Sequence, residues 1–302
     1  MPSWQARCFN AATKALVRRR KWGKDGQAVA GRSRRLFGSG RLYQWLRSRG
    51  VKITKVDAGQ VKGEWVEPPQ ARPAVILYIH GGGFVSCSPA THRPITAALA
   101  RMSGRRVFSV DYRLAPEHKF PAAIEDILTA YRWLYTNVTD PDSISIAGDS
   151  AGGGLTLTVI QRLRDEKSPL PGSAVCFSPW ADLAGTGESI RINNGKCAMF
   201  RPENIPEFAQ VYLGSVSPTD PAASPIFGDF SGLPPVLLQV GSSELLLDDA
   251  RVVHEKILAA GGTSKLEIYE DVFHCWQMLD GIVPESRIAI KNAVDFIADP
   301  HC

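Results

Sequence analysis

Short apolar runs alternate with helix-like stretches from residue 51 to the end of the chain, and this alternation limits the fold more than any other feature. The runs are rich in Val, Ile and Leu and are bounded by turn residues, which is typical of buried strands. Strands are predicted at 51–56, 74–79, 106–112, 143–148, 172–178, 235–241 and 265–270. Helices are predicted between them, at 89–102, 121–137, 151–167, 249–260 and 285–298. The pattern predicts an α/β fold with a mostly parallel sheet that is covered by helices on both faces.

Two segments do not follow this alternation. Residues 1–50 read as two helices separated by a break that contains glycine, and their apolar stripes need a surface to bury against. The stripes are formed by Trp4, Cys8, Phe9, Ala12 and Leu16 in the first helix and by Leu36, Phe37, Leu42, Trp45 and Leu46 in the second. Residues 184–227 are rich in turn residues and contain one short helical pattern, at 202–213. We expect the two segments to pack together as a helical cap over a catalytic core of residues 51–183 and 228–302.

The composition is that of an ordinary globular protein, with 302 residues of which 44% are hydrophobic and 22% are charged. The longest apolar runs are far shorter than the roughly 18 residues that a membrane-spanning helix needs, which excludes a transmembrane anchor. The first residues lack the apolar core of a secretory signal, so we expect a cytoplasmic protein. The six cysteines show neither CxxC pairs nor metal-ligand spacing, so neither disulfides nor a bound metal are expected.

Basic residues are concentrated at the start of the chain. Residues 1–55 contain 15 Lys or Arg and one acid, whereas the rest contains 20 Lys or Arg and 29 acids, so the two parts carry +14 and −9. A polybasic segment can bind anionic lipid or nucleic acid. The simpler interpretation is the solvated outer face of helices, and we favour it because core-type residues recur at helical spacing in the same segment. No nucleic-acid-binding motif accompanies the charge, so nucleic acid is not expected as a partner.

The sequence Gly148-Asp149-Ser150-Ala151-Gly152 has the form G-x-S-x-G. It follows a strand-like run and precedes a helix-like one, which is the context in which this motif carries a nucleophilic serine. On such a tight turn the serine is exposed at the carboxyl edge of the sheet, and the flanking glycines leave room around it. The start of the helix also supplies backbone N–H groups that stabilise negative charge. The motif therefore predicts Ser150 as a nucleophile.

A second glycine-rich motif, His80-Gly81-Gly82-Gly83-Phe84, directly follows a predicted strand. Consecutive glycines let the main chain approach a substrate carbonyl closely and direct N–H groups at it, as stabilisation of a tetrahedral oxyanion requires. The alternative is a phosphate-binding loop, which would need the Lys-Ser/Thr pair of a P-loop or the full G-x-G-x-x-G spacing, and the motif has neither. The two motifs together predict attack of a serine on a carbonyl group.

A serine nucleophile needs a base, and the chain contains six histidines. His274 lies just after the last predicted strand and downstream of the serine, as the order nucleophile, acid, histidine requires in enzymes with this kind of serine turn. His80 belongs to the glycine loop, where its ring is expected to brace the turn. His254 lies within a predicted helix, while His92 and His118 precede the serine in loop-like segments. We therefore predict His274 as the general base.

The acid that orients the histidine should follow an intervening strand. The strand predicted at 235–241 leads into a loop with three carboxylates, Glu244, Asp248 and Asp249. The two aspartates stand directly before a predicted helix and are interpreted as its N-cap and first-turn acids, whereas Glu244 lies just beyond the strand. We predict Glu244 as the acid and keep Asp248 as the alternative. The carboxylate would accept the second ring N–H of the histidine and fix its tautomer.

These blocks together resemble the hormone-sensitive-lipase-like family of bacterial esterases. Besides HGGGF and GDSAGG, the resemblance is carried by DYRLAPEHKFPAAIED (111–126), SPWADL (178–183), VGSSELLLDDA (240–250) and FHCWQ (273–277), in the order of the family and near its spacing. It implies an α/β-hydrolase core of about eight strands under a helical cap, with an oxyanion hole formed by the N–H groups of Gly82, Gly83 and Ala151. One position departs from the family. The usual acid is an aspartate in a D-P-L-x-D stretch, whereas this chain has Glu244 there, with Leu245 in place of proline.

The expected function is that of a serine carboxylesterase, which hydrolyses short-chain acyl esters through an acyl-enzyme intermediate and needs neither a metal nor an organic cofactor. The cap is expected to set the acyl length. The candidate pocket walls, most of which could equally be cap core, are Met199, Phe200, Phe208, Tyr212 and the N-terminal aromatic residues. Two alternatives use the same fold, namely a non-catalytic receptor for a small ligand and an amidase or deacetylase with the same triad. A homodimer through an exposed sheet edge is expected only by analogy with the family.

Overall fold

A computed structural model of the chain describes residues 1–20, 22, 25–38 and 40–301. Its strands are β1 (Lys52–Ala58), β2 (Val61–Glu67), β3 (Arg72–Ile79), β4 (Arg105–Val110), β5 (Ile144–Asp149), β6 (Ser173–Phe177), β7 (Val236–Gly241) and β8 (Ser264–Tyr269). Its α-helices are α1 (Trp4–Thr13), α2 (Gly26–Phe37), α3 (Arg41–Arg47), α4 (Pro89–Ser103), α5 (Ala122–Asn137), α6 (Ala151–Asp165), α7 (Ser189–Ile192), α8 (Asn204–Leu213), α9 (Leu247–Ala259) and α10 (Pro284–Ala298). The strands and helices predicted after residue 51 are all present, and their predicted ends lie close to the observed ones.

The strands of the described chain form one eight-stranded sheet in the order β1-β2-β4-β3-β5-β6-β7-β8. Neighbouring strands from β4 to β8 pair in parallel, while β2 pairs antiparallel with both β1 and β4. The prediction of a mostly parallel sheet of about eight strands is confirmed. Because parallel strands end at the same edge of a sheet, the loops that follow β3, β5, β6, β7 and β8 meet there.

Helices cover both faces of the sheet, as the side chains of β3 illustrate. Val75, Leu77 and Ile79 belong to one apolar cluster together with residues of α5, α6 and α9, whereas Ile76 and Tyr78 belong to a second one with residues of α4 and α10. All five are fully buried, so β3 has the near-continuous apolar sequence of a strand that is covered on both sides. Burial of each such aliphatic side chain contributes about 1.5–3 kcal/mol to the free energy of unfolding.

The strand β2 was not predicted from the residue pattern. Gly63 and Glu64 interrupt its apolar residues, and a glutamate in mid-strand usually points to solvent. Glu64 is nevertheless buried, because the guanidinium of Arg93 in α4 binds both of its carboxylate oxygens, at 2.9 and 2.8 Å. An ion pair between two elements far apart in sequence has no local signature, which explains the omission.

The described N-terminal residues form three α-helices where two were predicted. The helix α1 continues into a π-helical turn, Lys14–Arg18. The second predicted helix is divided between α2 and α3, because Gly38 ends α2 and Gly40, with a φ of 105°, precedes α3. In the described part of the chain, no helix has the length and apolar character that crossing a bilayer requires.

The expected burial of the N-terminal apolar stripes is only partly correct. Phe9, Leu36 and Phe37 pack against buried clusters of the core. The other large apolar residues of the stripes are exposed, namely Trp4, Leu16, Leu42, Trp45 and Leu46. Cys8 and Ala12 are exposed as well. The segment therefore presents apolar side chains to solvent as well as to the core.

Residues 184–227 contain the predicted helix α8 and also the four-residue helix α7, which was not predicted. This insertion contacts the N-terminal segment. The guanidinium of Arg18 donates a hydrogen bond to the carbonyl oxygen of Phe200. The ring of Trp22 packs against that of Phe208 in an edge-on arrangement, with 5.3 Å between centroids. The two segments that interrupt the α/β alternation thus pack against each other.

Candidate active site

Ser150 lies in the sharp turn between β5 and α6. Its φ of 53° and ψ of −122° are unfavourable for a residue with a side chain. The turn is held by a hydrogen bond from the Ser150 N–H to the carbonyl oxygen of Phe177, at 2.8 Å. It also needs Gly152, because a Cβ there would lie 2.1 Å from the carbonyl oxygen of Ile79. The strained turn presents the serine at the carboxyl edge of the sheet.

His274 and Glu244 continue from this serine in a line of two hydrogen bonds. The Oγ of Ser150 is 2.8 Å from Nε2 of His274, and Nδ1 of His274 is 2.5 Å from Oε2 of Glu244. An ionised carboxylate can only accept, so Nδ1 carries the proton and Nε2 can accept the serine hydroxyl. All three side chains are buried. The structure thus brings together three residues that were predicted from separate parts of the chain.

The other carboxylate oxygen of Glu244 is held by two donors. Its Oε1 accepts the backbone N–H of Gly241 at 2.7 Å and the hydroxyl of Ser178 at 2.7 Å. With Oε1 fixed, Oε2 is directed at the imidazole. Sequence reasoning missed Ser178. Ser178 directly follows β6, and the acid was expected directly after β7, which is the neighbouring strand in the sheet. The shared position at this edge was the signal that could have identified Ser178.

The loop that carries Glu244 is also fastened to the insertion. Asn193, which directly follows α7, donates from Nδ2 to the carbonyl oxygens of Ser242 and Glu244, at 3.0 and 2.8 Å. Ser189, the first residue of α7, donates its hydroxyl to the carbonyl oxygen of Leu245 at 2.6 Å. The position of the acid therefore depends on the insertion as well as on the sheet.

The two competing carboxylates have other partners. Asp248 accepts the first backbone N–H of α7 at 2.7 Å. Asp249 is buried and accepts the backbone N–H groups of Ala181 and Asp182, at 2.8 and 2.9 Å. Burial, together with the nearby charge of Asp182, raises the pKa of Asp249 well above its usual range. Asp249 lies in the first turn of α9 as predicted. The N-cap position predicted for Asp248 is wrong, because Leu246 occupies it and Asp248 also lies in the first turn.

The glycine loop after β3 lines the same cavity as Ser150. Gly82 and Gly83 have φ values of 118° and 61°, a region that favours glycine. A Cβ on Gly82 would also lie 2.2 Å from the carbonyl oxygen of Ser86. Ala151 is the first residue of α6, so its N–H has no acceptor within the helix. The three N–H groups predicted for the oxyanion hole therefore belong to a loop and a helix start that adjoin the serine.

Asp149, the residue before the serine, connects the turn that carries Ser150 to the glycine loop. Its carboxylate accepts the N–H of Gly81 at 3.0 Å, the hydroxyl of Tyr78 at 2.7 Å and Nε2 of His92 at 3.2 Å. Burial alone would raise the pKa of Asp149, but His92 and Tyr78 lower this pKa to about 2. Sequence reasoning gave Asp149 no role. It described His92 as loop-like although the helix predicted at 89–102 contains it, and His92 lies in that helix, α4. A carboxylate at the end of a buried strand, beside the serine, was the available signal.

His80 contacts the turn of the glycine loop, in agreement with the bracing role expected for its ring. Its Nδ1 is 2.8 Å from the carbonyl oxygen of Gly81, which can only accept, so Nδ1 carries the proton. The ring stacks on Tyr112 with 4.2 Å between centroids. Its Nε2 is buried and has no hydrogen-bond partner among the described residues. Burial and the neighbouring His92 lower the pKa of His80 to about 3, because a second proton would be poorly solvated.

The low pKa of His80 predicts an acid-dependent loss of stability. Below its unfolded-state pKa of 6.5, the unfolded chain binds a proton at this residue that the folded chain does not bind until about pH 3, so the free energy of unfolding falls as the pH drops through this window. Between pH 7 and pH 4.5 we expect His80 to contribute a loss of about 2–3 kcal/mol, measured by urea unfolding. His80→Asn, whose amide can still donate to the loop carbonyl, should show a correspondingly smaller loss. Equal losses in the two proteins would contradict the prediction.

The carboxyl of Asp149 acts in a lower pH window, because its stabilisation is lost only as the pH falls from about 4 to 2.

A largely apolar cavity of about 330 Å³ adjoins the serine, at the small end of ligand-binding pockets. Met199, Phe200 and Phe208 of the insertion line it, together with side chains of α1 and α2. Tyr212, the fourth candidate wall, is not among the lining residues. It stacks instead on Phe84 with 3.9 Å between ring centroids and belongs to the buried core. Three of the four candidate pocket walls in the insertion thus face the cavity.

The chain is similar in sequence and structure to several known proteins. A family model described by its alpha/beta hydrolase fold matches residues 76–278. An acetyl-hydrolase of Streptomyces hygroscopicus is 41% identical over 242 residues, which cover 80% of this chain and 81% of that protein. A solved esterase from the bacterial hormone-sensitive lipase family has a TM-score of 0.88 and 37% identity, and the match covers 98% of each chain. The esterase EstE5, from a crystal soaked with p-nitrophenyl butyrate, has a TM-score of 0.85 and 34% identity, again over 98% of each chain.

Proposed function

This chain belongs to the α/β-hydrolase fold family and, within it, to the hormone-sensitive-lipase-like esterases, and from that premise we propose that Ser150, His274 and Glu244 form its catalytic triad. The enzyme is a carboxylic ester hydrolase. The observation that carries the proposal is the buried line of two hydrogen bonds, 2.8 Å from Ser150 Oγ to His274 Nε2 and 2.5 Å from His274 Nδ1 to Glu244 Oε2. Such a line supplies a nucleophile, a base and an orienting acid at the distances that proton transfer needs.

The first half of the proposed reaction forms the acyl-enzyme. Nε2 of His274 accepts the hydroxyl proton of Ser150 as Oγ bonds to the ester carbonyl carbon, and Glu244 stabilises the imidazolium. The N–H groups of Gly82 and Gly83, together with that of Ala151, donate to the oxyanion. The imidazolium then gives its proton to the departing alcohol oxygen, the carbon–oxygen bond of the ester breaks, and the acyl group stays on the serine.

The second half releases the acid. Nε2 of His274 accepts a proton from water as the water oxygen attacks the acyl carbon, and the proton is returned to Oγ of Ser150 when the acyl bond breaks. The oxyanion forms twice and is stabilised by the same donors both times. Asp149 supports this step indirectly, because its hydrogen bond with Gly81 keeps the glycine loop in one position. Donors that are already in place cost no reorganisation when charge develops.

We propose short acyl chains as substrates, because the cavity is small and its aromatic walls stand close to the triad. The ring of Phe200 packs edge-on against that of His274, with 5.1 Å between centroids. A Cβ on Gly83 would lie 2.6 Å from Cδ1 of Phe208, so this side chain directly covers the glycine loop. These walls come from the cap, which in this proposal comprises residues 1–50 and 184–227 over a core of 51–183 and 228–302.

A comparison of esters with amides tests the proposed activity. The protein should hydrolyse p-nitrophenyl butyrate, with kcat/KM falling for acyl chains that exceed the cavity, and a serine-directed organophosphate should abolish the reaction. The anilide of butyric acid should be cleaved far more slowly. A receptor on the same fold would leave the ester intact, and an amidase would cleave the anilide at a comparable rate. Either result would contradict the proposal.

Two further expectations belong to this proposal. A cytoplasmic location is supported by the free thiols of Cys8, Cys87, Cys176, Cys197 and Cys275, which suit a reducing compartment. A homodimer is supported by the position of β8 at the edge of the sheet, where its outer side is available for pairing with a second copy.

A further inference from the structure

The helix α3 carries an apolar stripe that faces solvent. Leu42, Trp45 and Leu46 are exposed by 70, 58 and 43%, and Arg49 follows them at the spacing i, i+3, i+4, i+7. This spacing places Leu42, Trp45 and Leu46 on one side of the helix, while Arg49 lies in the turn that follows, because α3 ends at Arg47. The guanidinium of Arg49 lies 5.0 Å from the ring centroid of Trp45. An apolar stripe that ends in a basic residue is typical of a helix that rests on a surface rather than in a core.

The helix α1 is apolar on two opposite sides. Its inner side lines the cavity through Phe9, Thr13 and, in the π-helical turn that follows, Val17. On its outer side, Trp4 and Leu16 are exposed by 71 and 64%. The small residues between them are exposed too, namely Cys8, Ala11, Ala12 and Ala15. We refer to the exposed residues Trp4, Leu16, Leu42, Trp45 and Leu46 as the outer cap face.

The two stripes adjoin one short segment of the core, residues 276–285. The hydroxyl of Ser3, at the start of α1, donates to the carboxylate of Glu285 at 2.8 Å. The hydroxyl of Tyr43, in α3, donates to the carbonyl oxygen of Met278 at 2.9 Å. Both helices are thus anchored to the same short segment of the core, at acceptors only seven residues apart in the chain.

The N-terminal segment that carries both stripes, residues 1–55, is strongly basic, and its positive charge is only partly paired with acidic side chains. Side-chain ion pairs of these residues include those of Arg34 with Glu117 and of Arg47 with Asp280. Five exposed basic residues have no ion-pair partner in the part of the chain that the structure describes, namely Arg7, Lys14, Arg19, Arg35 and Arg49. Residues 1–55 carry +14 against −9 for the remainder, so the two stripes lie in the strongly basic part of a chain whose other part is acidic.

We propose that the outer cap face binds the surface of a bilayer that contains anionic lipid. Exposed Trp and Leu side chains flanked by Arg and Lys match such a surface, because the apolar groups enter the headgroup boundary while the charges face lipid phosphates. A second copy docked by the same face would bring like charges together. Nucleic acid would use the charges and leave the apolar stripes in water. Docking through α1 also places the cavity, which lies on its inner side, next to the membrane.

Vesicle binding by the full chain tests this proposal and does not depend on the esterase reaction. The protein should co-sediment with vesicles of phosphatidylglycerol and phosphatidylcholine, less so at high salt, and not with phosphatidylcholine alone. Leu42→Ala/Trp45→Ala and Arg7→Glu/Arg19→Glu should each weaken binding by about tenfold or more. Hydrolysis of dissolved p-nitrophenyl butyrate should stay unchanged in both variants, because none of these residues lines the cavity.

Matched substitutions elsewhere separate docking from general effects. Leu258→Ala/Ile288→Ala removes apolar groups that are exposed by 50 and 53%, and Lys167→Glu/Lys291→Glu changes the net charge as much as the arginine pair does. Both controls should bind vesicles like wild type.

Three binding results would overturn the proposal, namely equal binding to neutral and anionic vesicles, no binding to either, or equal losses of binding in the control variants. It would also fail if light scattering showed a dimer that Trp45→Ala dissociates, or if the Arg variants lost DNA retention while vesicle binding was unchanged.

Discussion

Ser150→Ala is expected to lower kcat for p-nitrophenyl butyrate by roughly 10⁴- to 10⁶-fold, because it removes the atom that we propose forms the acyl-enzyme. The residual rate would come from the oxyanion donors and from binding alone. The substitution removes one hydroxyl and leaves the φ of the turn to be held by the surrounding contacts, so the thermal midpoint should stay close to that of wild type. Steady-state kinetics and mass spectrometry after treatment with an organophosphate measure the two consequences.

Ser173→Ala provides the matched control for this loss. Ser173 is a buried serine in β6 whose hydroxyl donates to Ser145 on the neighbouring strand at 2.9 Å, away from the cavity. It should keep wild-type turnover and full labelling. If Ser150→Ala stayed within about tenfold of the wild-type rate, or still took up the organophosphate, the nucleophile would have to be another residue.

Glu244→Gln is expected to lower kcat by roughly 10³- to 10⁴-fold with a smaller effect on KM. A neutral amide cannot stabilise the imidazolium, and its NH₂ group can turn toward Nδ1 of His274 and favour the wrong tautomer. Asp248→Asn should leave kcat within a few-fold of wild type, because the amide oxygen can still accept the N–H of Ser189, which lies 2.7 Å from the carboxylate.

The stability of both variants must be measured beside their kinetics. Glu244 also accepts hydrogen bonds from Gly241 and Ser178, so its replacement is expected to reduce the free energy of unfolding by about 1–3 kcal/mol as well. A folded Glu244→Gln enzyme with near-normal turnover, combined with an inactive Asp248→Asn enzyme, would assign the acid to Asp248. This pair of variants also tests whether glutamate can occupy the position where the family usually has aspartate.

Sequence patterns predicted the parts of this molecule that local chemistry determines. The continuous apolar run of β3 requires a strand that is buried on both faces, and the glycines around Ser150 permit only a tight turn. The order of the loops after β7 and β8 was sufficient to predict Glu244 and His274 as candidates, and the structure places both in line with Ser150. By contrast, the supports of the site depend on contacts between distant segments. Ser178 follows β6, and its hydroxyl donates to Glu244, which follows the neighbouring strand β7. A contact of this kind leaves no periodic pattern in the sequence.

Helical spacing identified apolar stripes in the N-terminal segment but could not identify what covers them. Phe37 and Trp45 belong to the same predicted stripe, yet Phe37 lines the cavity and Trp45 faces solvent. The difference arises from the division into α2 and α3 between them, which turns the later residues away from the core. The period of the apolar residues identifies which side of a helix is apolar. Whether that side is buried depends on the surface that the tertiary structure places against it.

The hydrogen bonds from Asn193 to the loop that carries Glu244 have a consequence for engineering. Chimeric enzymes that exchange lids between relatives usually aim to alter substrate range while the chemistry is preserved. Here Ser189 and Asn193, near the start of the insertion, hold the main chain of the loop that carries Glu244 through three hydrogen bonds. A crossover placed after Asn193 would transplant Met199, Phe200 and Phe208 while retaining that support. A crossover before Ser189 would replace the residues that make these three hydrogen bonds as well as the residues that line the cavity.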